Sequence, residues 1–76
     1  MKTQYWLVYH MVGGSSFESI DKFDSKKDII SLRNEQMSDG YSGISPEVNI
    51  VSGRIILLFE KIVAIEIRSQ SYDDDF

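Results

Sequence analysis

The sequence predicts an α+β domain: an antiparallel or mixed sheet of three to five strands, in the order β-β-α-β-β-β, with one helix packed on one face. Three observations carry that expectation. Residues 4–12 are dense in aromatic and β-branched side chains, which suit a pleated backbone. Residues 26–37 follow a capping serine and contain no glycine or proline. Residues 47–68 hold further apolar runs, punctuated by Ser52-Gly53 and Glu60-Lys61.

In the first strand, alternation places Tyr5, Leu7, Tyr9 and Met11 on one face and Trp6, Val8, His10 and Val12 on the other. Both sets are largely apolar, as in a strand buried on two sides or set against another subunit. Gly13-Gly14-Ser15-Ser16 reads as a turn, because glycine accepts positive φ without a Cβ clash. Residues 17–23 read as a half-polar returning strand at a sheet edge. Ser25, with Asp28 three positions on, approximates a capping box and opens the helix. Ile29, Ile30, Leu32 and Met37, with the stem of Arg33, form its apolar stripe. Gly40 is expected to close it in the left-handed conformation.

Residues 40–46, with Gly43 and Pro46, read as a loop. Residues 47–51 and 54–59 then flank Ser52-Gly53 as a tight hairpin, and residues 62–68 form the last strand. A single long strand over 54–68 is the competing reading. In the last strand, alternation puts Val63, Ile65 and Ile67 on one face, and Ile62, Ala64 and Glu66 on the other. One short helix cannot cover both faces of such a sheet, and Trp6, Val8, Val12, Ile56, Leu58 and Ile62 imply apolar side chains on both. An uncovered apolar face tends to become an interface. A homo-oligomer is therefore expected, with Trp6, Val8 and His10 at the interface.

The 76 residues make one domain, expected over residues 1–68, followed by a flexible acidic tail over 69–76. There is no cysteine, which removes disulfides and thiolate metal sites and favours a cytoplasmic setting. The apolar stretch over 55–67 is broken by Glu60, Lys61 and Glu66 and falls short of the ~20 residues that span a bilayer, so no membrane partner is expected. Eight basic against twelve acidic residues give a net charge of −4. Asp73, Asp74 and Asp75 supply most of it, leaving residues 1–72 close to neutral. A basic nucleic-acid footprint is missing. An accessory to single-stranded nucleic acid stays as an alternative, because Tyr5, Trp6 and Tyr9 offer stacking faces.

Candidate chemistry is sparse. His10 is the single histidine, and neither a cysteine nor a strained serine elbow accompanies it as nucleophile, so no catalytic residue is assigned and no enzyme is expected. Asp21, Asp24 and Asp28 lack calcium-loop spacing, and the Gly13-Gly14 turn lacks the lysine of a phosphate loop, so no metal or cofactor is expected. Ser25, Lys26 and Lys27 at the helix start form a candidate anion site, the basis for a second alternative: a small anionic metabolite or nucleotide sponge.

The C-terminal tip, Tyr72, Asp73, Asp74, Asp75 and Phe76, joins carboxylates to a terminal ring. It resembles the tips of single-stranded-DNA-binding proteins, where an acidic run ending in phenylalanine docks in a basic, apolar pocket of a larger enzyme. The resemblance is confined to the tip, lacks the usual proline before the phenylalanine, and implies a larger, basic protein partner. Composition adds an association with small phage and mobile-element proteins that bind a host nuclease, DNA-processing enzyme or defence effector. The expected function is thus a non-catalytic interaction module, an oligomeric adaptor or inhibitor.

Overall fold

The computed structural model describes residues 1–73 of the chain. Its spine is β1 (Lys2–Met11), the central strand of a three-stranded antiparallel sheet ordered β2-β1-β5, with β2 at Ser16–Glu18 and β5 at Ile62–Tyr72. Between β2 and β5 come helix α1 (Lys26–Tyr41), a two-stranded antiparallel sheet of β3 (Glu47–Ile50) and β4 (Gly53–Ile56), and one 3-10 turn at Phe59–Lys61. The α+β class and the order β-β-α-β-β-β are those expected. The turn at Phe59–Lys61 separates β4 from β5, which disposes of one long strand over 54–68. No helix among the described residues is long and apolar enough to cross a membrane.

Trp6, Leu7, Val8 and Tyr9 are all buried, so β1 is covered on both faces. On one face Leu7 and Tyr9 meet Ile29 of α1, Val48 of β3 and Leu57, and these five residues are the core. The Tyr9 hydroxyl donates a hydrogen bond to Gln36 Oε1 and ties sheet to helix. Burial raises the Tyr9 phenol above its ordinary pKa; the Gln36 hydrogen bond opposes this, and the charge of Asp21 adds to it.

The return segment is a strand only over Ser16–Glu18, shorter than the expected 17–23. Val8 pairs with Glu18, and pairing resumes at Tyr5 and Phe23; between those pairs β1 advances three residues and the return segment five. The surplus loops out and binds the small sheet. Ile20 N–H donates to Asn49 O at 2.9 Å, and Asn49 Nδ2 donates to Asp21 Oδ2 at 3.2 Å. Backbone groups that would have gone into a ladder are satisfied across the two sheets instead.

Helix α1 starts as expected: Ser25 has extended backbone and its Oγ accepts from Asp28 N–H at 3.3 Å. Its end differs. Gly40 lies inside the helix, and the closing glycine is Gly43, at φ +89°. Gly43 N–H bonds Gly40 O at 3.0 Å and Ile44 N–H bonds Asp39 O at 2.9 Å, the paired reverse bonds of a glycine-closed terminus. Gly40 serves another purpose. The Phe59 ring lies against it, and a Cβ there would overlap ring atoms Cγ, Cδ1 and Cε1.

Two expectations for β5 are corrected. The register slips between His10 and Met11, where Ala64 and Ile62 are the successive partners, so Val63 is the extra residue of a β-bulge. The bulge puts Ile62 with Ile65 and Ile67 against the core and leaves Val63 exposed, whereas simple alternation had grouped Val63 with the two isoleucines. The strand also runs to Tyr72, four residues past the expected domain boundary. Lys2, Thr3, Gln4 and Tyr5 pair with Tyr72, Ser71, Gln70 and Ser69, so this part of the expected tail is one strand of a ribbon. The ribbon has no apolar periodicity; the backbone ladder forms it, with a hydroxyl bond of 2.9 Å between Thr3 and Ser71. Of the proposed docking tip, Tyr72 and Asp73 are described; Asp74, Asp75 and Phe76 lie outside the described residues.

Candidate functional site

The face expected to be an apolar oligomer interface is built differently. Trp6 and Val8 keep 7% and 2% of their surface exposed within a single chain. Lys22 Nζ sits 3.9 Å from the centre of the Trp6 ring, and Trp6 Nε1–H donates to Glu18 Oε1. His10 Nε2 is 2.8 Å from Glu66 Oε1, and Arg68 donates to the same carboxylate through Nη2 at 3.1 Å and Nε at 3.2 Å. Long polar side chains therefore roof the two apolar residues, which a pattern of apolar letters cannot reveal. The Glu66 carboxyl lies below the usual carboxylate range, because Arg68 and then His10 hydrogen-bond its charged form.

Ser25 spends its hydroxyl on capping α1, while Lys26 and Lys27 extend into solvent beside it. Tyr72 and Asp73 stand at the far end of the ribbon, away from those lysines in sequence and on a different element. Among the described residues, no group of three His, Asp or Glu side chains is placed to hold a metal ion.

The geometry assembles a surface elsewhere. Among the described residues β5 pairs with β1 on one side only, being the last strand in its sheet. Which groups line its free edge follows from β1. Tyr5 N–H bonds Phe23 O and Met11 N–H bonds Ser15 O, so the odd-numbered residues of β1 direct their backbone groups towards β2. The even-numbered residues Gln4, Trp6, Val8 and His10 therefore face β5, where their partners are Gln70, Arg68, Glu66 and Ala64. The intervening Ile65, Ile67, Ser69 and Ser71 present N–H and C=O outward, ready to accept another strand.

Beside the start of this edge runs a groove of about 850 Å³ between α1 and β5. Met37, Tyr41, Phe59, Ile62 and Val63 line it, with Arg33 and Glu60 as charged members. Tyr41 and Phe59 meet edge to face, ring centres 5.4 Å apart, with the half-buried Phe59 ring lying against Gly40 of the helix. Tyr41 and Val63 are 78% and 64% exposed. Apolar side chains beside unpaired backbone make a surface suited to an extended polypeptide. Sequence reasoning missed this surface because it ended the strand at residue 68. No signal in the sequence marked the extension, because Ser69, Gln70 and Ser71 are polar and show no apolar alternation.

Comparison with protein-family models, with curated proteins and with solved structures returned no match.

Proposed function

We propose that this chain is a non-catalytic protein-interaction module whose working surface is the free edge of β5, with the α1–β5 groove beside it. The partner supplies an extended segment that adds to the sheet: backbone bonds to Ile65, Ile67 and Ser69 give affinity, and side chains entering the groove give selectivity. The observation that carries this reading is an eleven-residue strand at the sheet edge, unpaired on one side among the described residues and flanked by the exposed Tyr41 and the half-buried Phe59.

Ser69→Pro tests it. Ser69 is exposed and its N–H points outward, so proline removes an edge donor while the bonds to β1 stay. Tagged wild-type chain should retain polypeptide partners, including copies of itself, that the Ser69→Pro chain loses. Equal retention by two equally folded chains would refute the edge as the working surface.

A further inference from the structure

We infer that the segment added to β5 is the β5 of a second copy, antiparallel, with the two-fold axis passing through Ile67; this rests on the reading of β5 as a docking edge and names its partner. In an antiparallel pair, outward-facing residues must oppose outward-facing residues. For two copies of one strand the axis must then fall on a residue and not between two. Charge selects which one. With the axis on Glu66 or Arg68, like charges oppose each other, which is destabilising. With the axis on Ile65, Glu66 meets Ala64 and Arg68 meets Ile62, leaving both charges unmatched. On Ile67, each Glu66 stands opposite the partner's Arg68, twice over.

That register also matches the hydrogen-bonding pattern. Ile67 opposes the partner's Ile67, and Ile65 opposes the partner's Ser69, all with outward backbone groups. Glu66 and the partner's Arg68 then form a non-hydrogen-bonded pair, the class with the closer Cα approach, about 4.5 Å. The pair lies on the face where Arg68 already holds Glu66 within one chain, so four charges alternate across the axis. Ile67 is the midpoint of Ile62–Tyr72, so the ribbon end of each copy reaches the bulge of the other, bringing the partner's Tyr72 to Ile62 and Val63 at the mouth of the groove. The product is a six-stranded sheet with both helices on one side.

The test is mass in solution combined with charge exchange. The wild-type chain, of 8.7 kDa, should sediment at about twice that mass at micromolar concentration. Glu66→Arg and Arg68→Glu should each weaken self-association roughly tenfold or more, since two cross-strand pairs turn repulsive. Mixing the two variants should restore a dimer, and so should the exchange Glu66→Arg with Arg68→Glu in one chain. Register is read by Ala64→Cys with Gln70→Cys, which the axis on Ile67 places opposite each other. The chain has no other cysteine, so a disulfide between positions 64 and 70, identified by peptide mapping of the oxidised dimer, reports that register, whereas a 64–64 or 70–70 linkage reports another. A wild-type monomer, a dimer indifferent to both charge variants, or no 64–70 cross-link from a folded double-cysteine dimer would each overturn the inference. A monomer that still loses a different polypeptide partner on Ser69→Pro would spare the docking edge and refute only its self-pairing.

Discussion

Replacing Gly40 by alanine in α1 ordinarily stabilises a helix interior by about 1 kcal/mol, because alanine loses less backbone entropy. Here the sign should reverse. The new Cβ would occupy the space of Phe59 Cγ, Cδ1 and Cε1, atoms near the root of a rigid ring that a small rotation cannot clear. The ring must shift and loosen its edge-to-face contact with Tyr41. Overpacking of this kind costs about 1–3 kcal/mol. The net effect is a destabilisation of about 1 kcal/mol, or a fall of roughly 4–8 °C in Tm for a domain of this size. Removing the ring should recover the ordinary helix effect, so that in a Phe59→Ala background the same change stabilises by about 1 kcal/mol. The coupling between the two sites is then about 2 kcal/mol. Urea unfolding of the four proteins, followed by the fluorescence of Trp6 at one fixed concentration, measures it. A gain of about 1 kcal/mol from Gly40→Ala in both backgrounds would refute the packing argument.

Gly43→Ala should destabilise by about 1–2 kcal/mol although open space surrounds the position, because φ +89° is left-handed backbone; unfolding compared with Gly40→Ala in the Phe59→Ala background separates the two glycines by sign. Glu66 titrates below its unfolded value, so its stabilisation is present above an unfolded pKa of about 4.3 and fades as pH falls through the folded value. Glu66→Gln should therefore flatten the acid limb of a stability–pH curve, and an unchanged limb would contradict the Arg68 and His10 contacts. Tyr9 titrates above its unfolded value, so its contribution is full below about pH 10 and declines as pH rises towards the folded value. Tyr9→Phe should lose about 0.5–1.5 kcal/mol at neutral pH with its Gln36 bond, and should remove that alkaline decline.

Local features were legible in the letters. Ser25 and Asp28 marked the helix start, Gly13-Gly14 the first turn, and the two apolar sets of residues 4–12 a strand covered on both faces. Each depends on interactions within a few residues, which sequence spacing encodes directly. Gly40 and Gly43 show where that stops. Both are glycines near one helix end, and nothing local distinguishes the one that closes the helix from the one that admits Phe59, nineteen positions away.

The candidate surface lay beyond local reading for the same reason. Residues 69–72 form a strand because Lys2–Tyr5 stands beside them, and polar letters there gave no sign of it. The bulge at Val63 exchanges the faces that alternation gave Ile62 and Val63, since one extra residue in a ladder shifts the side chains on its far side. The roof over Trp6 and Val8 needs Glu18 and Lys22 of the return segment and Glu66 and Arg68 of β5, two distant stretches of chain. By itself the sequence determined the α+β class, the element order and the start of α1, all products of short-range propensity and periodicity. Only the tertiary structure decided which edge is free, which aromatic rings line the groove beside it, and which charges lie next to one another. Those depend on pairing between distant segments, and pairing is set by backbone groups that every residue shares.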